Sequence, residues 1–147
     1  MLFRSPAEFR IWGNLGDAYW LNKSEPAKSK QAWRKAADVA AGVVGRNQAD
    51  TFTLSILAEY EAKLGDSAQA LRHIDAARGQ TPSNADVAFQ SAKVNALLDR
   101  KDKAIGELAV ARQLKYPVEE ALQAPELAPL RDDPRFKQLV DRTSKGN

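Results

Sequence analysis

The sequence predicts an all-α fold of about three helix–turn–helix units closed by a C-terminal capping helix, and three observations predict it. The composition is rich in alanine and sparing in Val, Ile and aromatic residues, which favours helix over strand. Small and apolar residues recur at a fixed spacing along the chain. Helix-opening and helix-closing residues fall at the ends of the repeating units.

The spacing is 34 residues. Shifting the chain by that amount superposes Ala58 on Ala92, Ala62 on Ala96, Leu64 on Leu98 and Ala70 on Ala104. The same shift pairs Leu71 with Ile105, Ile74 with Leu108, Ala77 with Ala111 and Arg78 with Arg112. Small residues recurring at this period mark the places where two packed helices of a stacked unit approach closely.

The elements follow in order. Ser5-Pro6-Ala7-Glu8 opens the first helix with an N-cap serine, a proline at the first helical position and a glutamate three residues on. Ser24-Glu25-Pro26, Asp66-Ser67-Ala68-Gln69 and Ser83-Asn84-Ala85-Asp86 are further openings. Gly45, Gly65 and Gly79 stand where helices should stop. Helices are therefore expected near 6–21, 25–44, 48–64, 67–79, 84–98 and 101–114. Beyond Tyr116, the stretch 117–122 suggests a short helix ended before Pro125, 125–130 a further turn, and Asp132-Asp133-Pro134 opens a last helix bearing Phe136, Leu139 and Val140. That tail has the polar and apolar faces needed to cover the last core layer of an array.

The first unit reads Trp12-Gly13-Asn14-Leu15-Gly16-Asp17-Ala18-Tyr19, a Trp, Leu-Gly, Tyr pattern that resembles the opening of a tetratricopeptide repeat. The stretch from Leu57 to Asn84 resembles a second unit and Ala85 to Lys115 a third. The resemblance implies one domain, 1–147, with repeats at about 9–50, 51–84 and 85–116 in a right-handed superhelix, and a cap over 117–143. The first unit is about eight residues too long, an excess placed at the turn 21–28 and in a helix running to Val44. The phrase PELAPLRDDPRFKQLV is similar to the ends of such arrays in bacterial multidomain regulators.

Little in the sequence points to catalysis. Cysteine is absent, which excludes disulfides and thiolate metal sites, and His73 is the sole histidine. No glycine-rich phosphate loop or nucleophile elbow is found. Glu119/Glu120 and Asp132/Asp133 are chain neighbours and diverge by about 100° on a helix. No other clustering of carboxylates is legible, so neither cofactor nor metal is expected, and His73 reads as a packing residue. The net charge of +3 comes from 22 basic and 19 acidic residues spread along the chain, unlike the basic stripe of a nucleic-acid reader. No apolar run near the N-terminus suits a signal peptide or membrane span, so the chain as written is expected to be cytoplasmic.

The resemblance implies a module that binds a peptide or protein along its concave face, lined by the first helix of each unit. By position the contact residues are Arg10, Asp17 and Trp20; then Phe52, Ser55, Glu59 and Lys63; then Asp86, Phe89, Lys93 and Leu97. The family's clamp for C-terminal carboxylates is not expected, because its slots hold Gly13, Asp17, Asp86 and Gln90. Leu2, Phe3, Phe9 and Ile11 form an apolar N-terminal edge that no preceding repeat covers, which suggests homodimerisation or a chain cut from a longer array. The alternatives are an accessory domain of a larger signalling protein and a nucleic-acid-binding helical repeat.

Overall fold

The computed structural model describes residues 6–141, with side chains from residue 8 onward. Ser5, Leu2 and Phe3 lie outside the described residues. Every regular element among the described residues is helical: α1 (Pro6–Asn22), α2 (Pro26–Arg46), α3 (Thr51–Lys63), α4 (Ser67–Gln80), α5 (Ala85–Leu97) and α6 (Lys101–Gln113). Two 3-10 segments, η1 (Val118–Gln123) and η2 (Pro125–Leu130), lead to a last helix α7 (Pro134–Val140). No helix among these residues is long and apolar enough to cross a membrane.

Three hairpins, α1–α2, α3–α4 and α5–α6, are each closed by a turn of three residues: 23–25, 64–66 and 98–100. The second and third turns share one hydrogen-bond pattern displaced by the repeat. Asp66 N donates to Glu61 O and Arg100 N to Asn95 O, both at 2.8 Å. The residues before them, Gly65 (φ 85°) and Asp99 (φ 60°), are left-handed. This is the Schellman closure, which recurs after α6 with Lys115 (φ 71°) and a bond from Tyr116 N to Ala111 O. The Gly-Asp turn of the second unit is therefore kept in the third without its glycine, since Asp tolerates the left-handed region better than most side chains.

The first unit's extra length lies in the long second helix, as expected, and not in the turn. Its turn is as short as the others, and the excess sits in the helices, with α1 17 residues and α2 21 residues long against 13 for α3. Gly45 and Gly79 fall inside the last turns of α2 and α4 and stop neither helix. Three of the helices are capped by side chains: Asp50 accepts from Thr53 N, Asn84 from Val87 N and Asp133 from Arg135 N, at 2.9–3.1 Å, whereas Asp66 at the start of α4 makes no such bond. Asp50 thus starts α3 at Thr51, three residues later than the expected 48.

Most of the small repeat positions lie in the core. Ala58, Ala70, Ala77, Ala92, Ala104 and Ala111 are fully buried, as are Ile74 and Leu108. α2 packs on α3, α3 and α4 on α5, and α5 on η2, so the hairpins stack in chain order and the tail closes the row. Leu127, Leu130, Phe136 and Val140 of the tail join Phe89, Ala92 and Leu108 in one apolar cluster.

Two glycines let α1 settle on its neighbours. A Cβ on Gly16 would run into the Trp33 ring, and one on Gly13 into Tyr60. Trp33 is buried and cannot swing away, because its indole Nε1 donates to Asp17 at 2.9 Å. Gly16→Ala is expected to lower stability by about 1–2 kcal/mol, overpacking outweighing the ~1 kcal/mol gain in helix propensity. Gly106→Ala, whose Cβ meets nothing, should instead gain up to about 1 kcal/mol. Urea midpoints of the two variants moving in the same direction would contradict this packing.

Candidate functional site

The first helices of the three hairpins, α1, α3 and α5, place most of the expected contact residues on one side of the molecule. What those residues do there is mostly to bind one another. Lys63 ends α3, and its side chain is 1% exposed. Its ammonium donates to Glu59 Oε2 at 2.7 Å, Asp17 Oδ1 at 2.8 Å and Glu126 Oε2 at 2.9 Å, one bond for each of its three protons. It also lies 5.4 Å from the Trp20 ring centroid and 5.5 Å from that of Trp33. Glu59, 8% exposed, has a second pair of donors from α5: Lys93 Nζ at 2.8 Å and Gln90 Nε2 at 3.0 Å.

The network therefore joins α1, α3, α5 and η2 through side chains up to 109 positions apart (Asp17 to Glu126). It holds three carboxylates against two ammonium groups. Burial alone would raise the pKa of Glu59, but the charges of Lys93 and Lys63 override it and hold the carboxyl well below its ordinary range. Burial alone would likewise lower the pKa of Lys63, and the charges of Glu59, Glu126 and Asp17 hold it above its ordinary value instead.

Asp17, Glu59 and Glu126 bring carboxylate oxygens within 4.8 Å of one another, which corrects the expectation that no carboxylates converge. Their separation along the chain hides the cluster, since only the stacking of α1, α3 and η2 assembles it. This is the geometry of a hard-cation site, and the Lys63 ammonium stands where such a cation would.

The remaining expected contacts divide in two. Trp20 packs edge-on against Trp33, with centroids 5.9 Å apart, and Ser55 is buried with its hydroxyl donating to Phe52 O at 2.6 Å. Phe89, 6% exposed, stacks on Tyr116 at 4.2 Å, so the start of the tail already covers it. Arg10 and Asp86 are exposed, and Phe52 and Leu97 half-buried. The Arg10 guanidinium lies 5.7 Å from the Phe52 ring centroid.

At the N-terminal edge, Ile11 is 67% exposed, but Phe9 is 1% exposed and packs with Trp33, Leu57 and Tyr60. The expectation of an uncovered Phe9 fails because Tyr60 reaches across from α3 and donates to the Phe9 carbonyl at 3.3 Å. His73 is half-buried, with Nδ1 2.6 Å from Glu61 Oε1, an interaction that braces α4 on α3. Trp33 and Glu126, which the sequence did not single out, prove central to the site; no local motif marks either one. No protein-family model matches the sequence, and a comparison with curated proteins finds no match.

Proposed function

We propose that the chain is a non-catalytic interaction module, a right-handed array of three tetratricopeptide-type hairpins that binds a peptide segment of a protein partner. The observation that supports it most is the correspondence between period and structure: the pairs Ala58/Ala92, Ala70/Ala104, Ile74/Leu108 and Ala77/Ala111 are all fully buried, and Gly65 and Asp99 share one turn geometry. The structure narrows the contact surface within that reading. Asp17, Glu59, Lys63 and Lys93 pair with one another and Phe89 is covered by Tyr116, so in this reading they organise the face more than they present it.

What stays open is the row at the N-terminal ends of the inner helices. Arg10, Phe52 and Asp86 combine an accessible aromatic ring with both charge signs, and Phe52 and Asp86 are equivalent positions of neighbouring units. An aromatic anchor flanked by orienting charges suits an extended or helical peptide. The mixture argues against nucleic acid, which needs dense positive charge.

The test is a diverse peptide array probed with the wild type, Phe52→Ala, Asp86→Arg and, as a distant control, Lys101→Glu. Loss of an aromatic anchor should weaken the bound peptides by about 1–2 kcal/mol, roughly tenfold, with the control unchanged. Sequence-selective binding that survives both substitutions would displace the contact surface from this row, and no selective binding at all would overturn the reading.

A further inference from the structure

A second concave feature lies outside that row, at the turn between α1 and α2. It is a cleft of about 380 Å³ walled by Tyr19, Trp20 and Trp33, with Lys23 and Lys30 at its mouth and Ser29 in its wall. Its size is within the range of small-molecule sites. Ser29 is 2% exposed, and its hydroxyl oxygen has no hydrogen-bond partner, an unusual state for a buried polar group. Lys23 is held by a left-handed backbone (φ 58°) just beyond α1. Among the described residues neither Lys23 nor Lys30 has an acidic partner, and the nearby Glu25 is paired with Lys28 at 2.9 Å. The positive end of the 21-residue helix α2 begins at Pro26 in the cleft wall, and no side chain caps it.

We propose that this cleft binds a small aromatic or otherwise apolar carboxylate, its apolar body against the rings and its charge at Lys23 and Lys30. The orientation follows from the electrostatics. The inner end of the cleft is the Lys63 ammonium, which three carboxylates already neutralise, so a bound anion gains nothing there. The mouth carries two uncompensated ammonium groups and the helix terminus. Aromatic walls can also hold a cation, but Lys63 occupies the faces of Trp20 and Trp33, and Lys23 and Lys30 repel a second positive charge.

The test compares 2-naphthoate, 2-naphthalenemethanol and 2-naphthylmethylammonium by calorimetry, with indole N–H resonances followed by NMR. The naphthoate should bind at least about tenfold more tightly than the alcohol, reflecting the two charged donors. The Trp20 and Trp33 indole signals should shift, while that of Trp12, assigned with Trp12→Phe, stays in place. Lys23→Glu/Lys30→Glu should weaken the naphthoate at least about tenfold with an unchanged melting temperature, since both side chains are exposed. Ser29→Ala should weaken it about three- to tenfold, the loss of one hydrogen bond. Equal or tighter binding of the alcohol or the ammonium compound overturns the proposal. So does naphthoate binding that the double charge reversal leaves intact, or its absence up to the solubility limit.

Discussion

Replacing Lys63 with methionine is expected to cost about 3–5 kcal/mol of stability, read from urea denaturation at pH 7, because it strands buried carboxylates without their counter-charge. The side chain is 1% exposed and serves Asp17, Glu59 and Glu126 together, so solvent cannot take its place without opening the packing of α1, α3 and η2. The pH dependence should also change. In the wild type the lowered pKa of Glu59 contributes stability that is present above its unfolded value, near 4.5, and lost as pH falls below it. Acid therefore weakens the native chain. In the Lys63→Met variant protonation relieves the repulsion among the stranded carboxylates, so moving from pH 7 toward 5 should recover part of the lost stability. A variant as stable as the wild type, with the same acid response, would show that the network contributes nothing.

Phe136→Ala is expected to be of comparable size, about 3–5 kcal/mol, as for other large aromatic truncations in a core. Phe136 is 1% exposed and lies in the cluster that joins α5 and α6 to Leu127 and Leu130 of η2. Its loss should loosen the tail before the hairpins, so amide exchange should quicken first across residues 118–140. Leu122→Ala in the same tail, 45% exposed, should stay within about 0.5 kcal/mol of the wild type. If both variants behave alike, the tail is not an integral layer of the fold.

The contrast between these residues shows what the sequence could reveal. The helices were legible because their signals are local: Pro26 at a helix start, Asn84 at a cap and the alanines at every 34th position each act within their own turn or hairpin. The third hairpin turn was harder to read, since Asp99 does with a tolerated left-handed backbone what Gly65 does without a side chain. Gly16 could be placed as the close approach of two helices, and Trp33 is what it approaches. The charge network was not legible. Glu126 sits between prolines in a segment whose composition suggests only a cap, and its role depends on how far η2 reaches along α5 toward α3. Position along a repeat identified Glu59, Lys63 and Lys93 as residues of one face. It could not show that they are consumed by one another, because that requires knowing where the tail lies. The same holds for the cleft at Ser29, whose aromatic walls come from both helices of one hairpin.

The tail is tied to the middle hairpin through the Lys63 ammonium. A double-mutant cycle between Lys63→Met and Glu126→Gln, read by urea denaturation at pH 7, tests it most directly. The 2.9 Å bond between two side chains that are 1% and 7% exposed should give a coupling of about 1–3 kcal/mol. A coupling within about 0.3 kcal/mol of zero would mean that the two groups act independently and that Lys63 does not tie the tail to the middle hairpin.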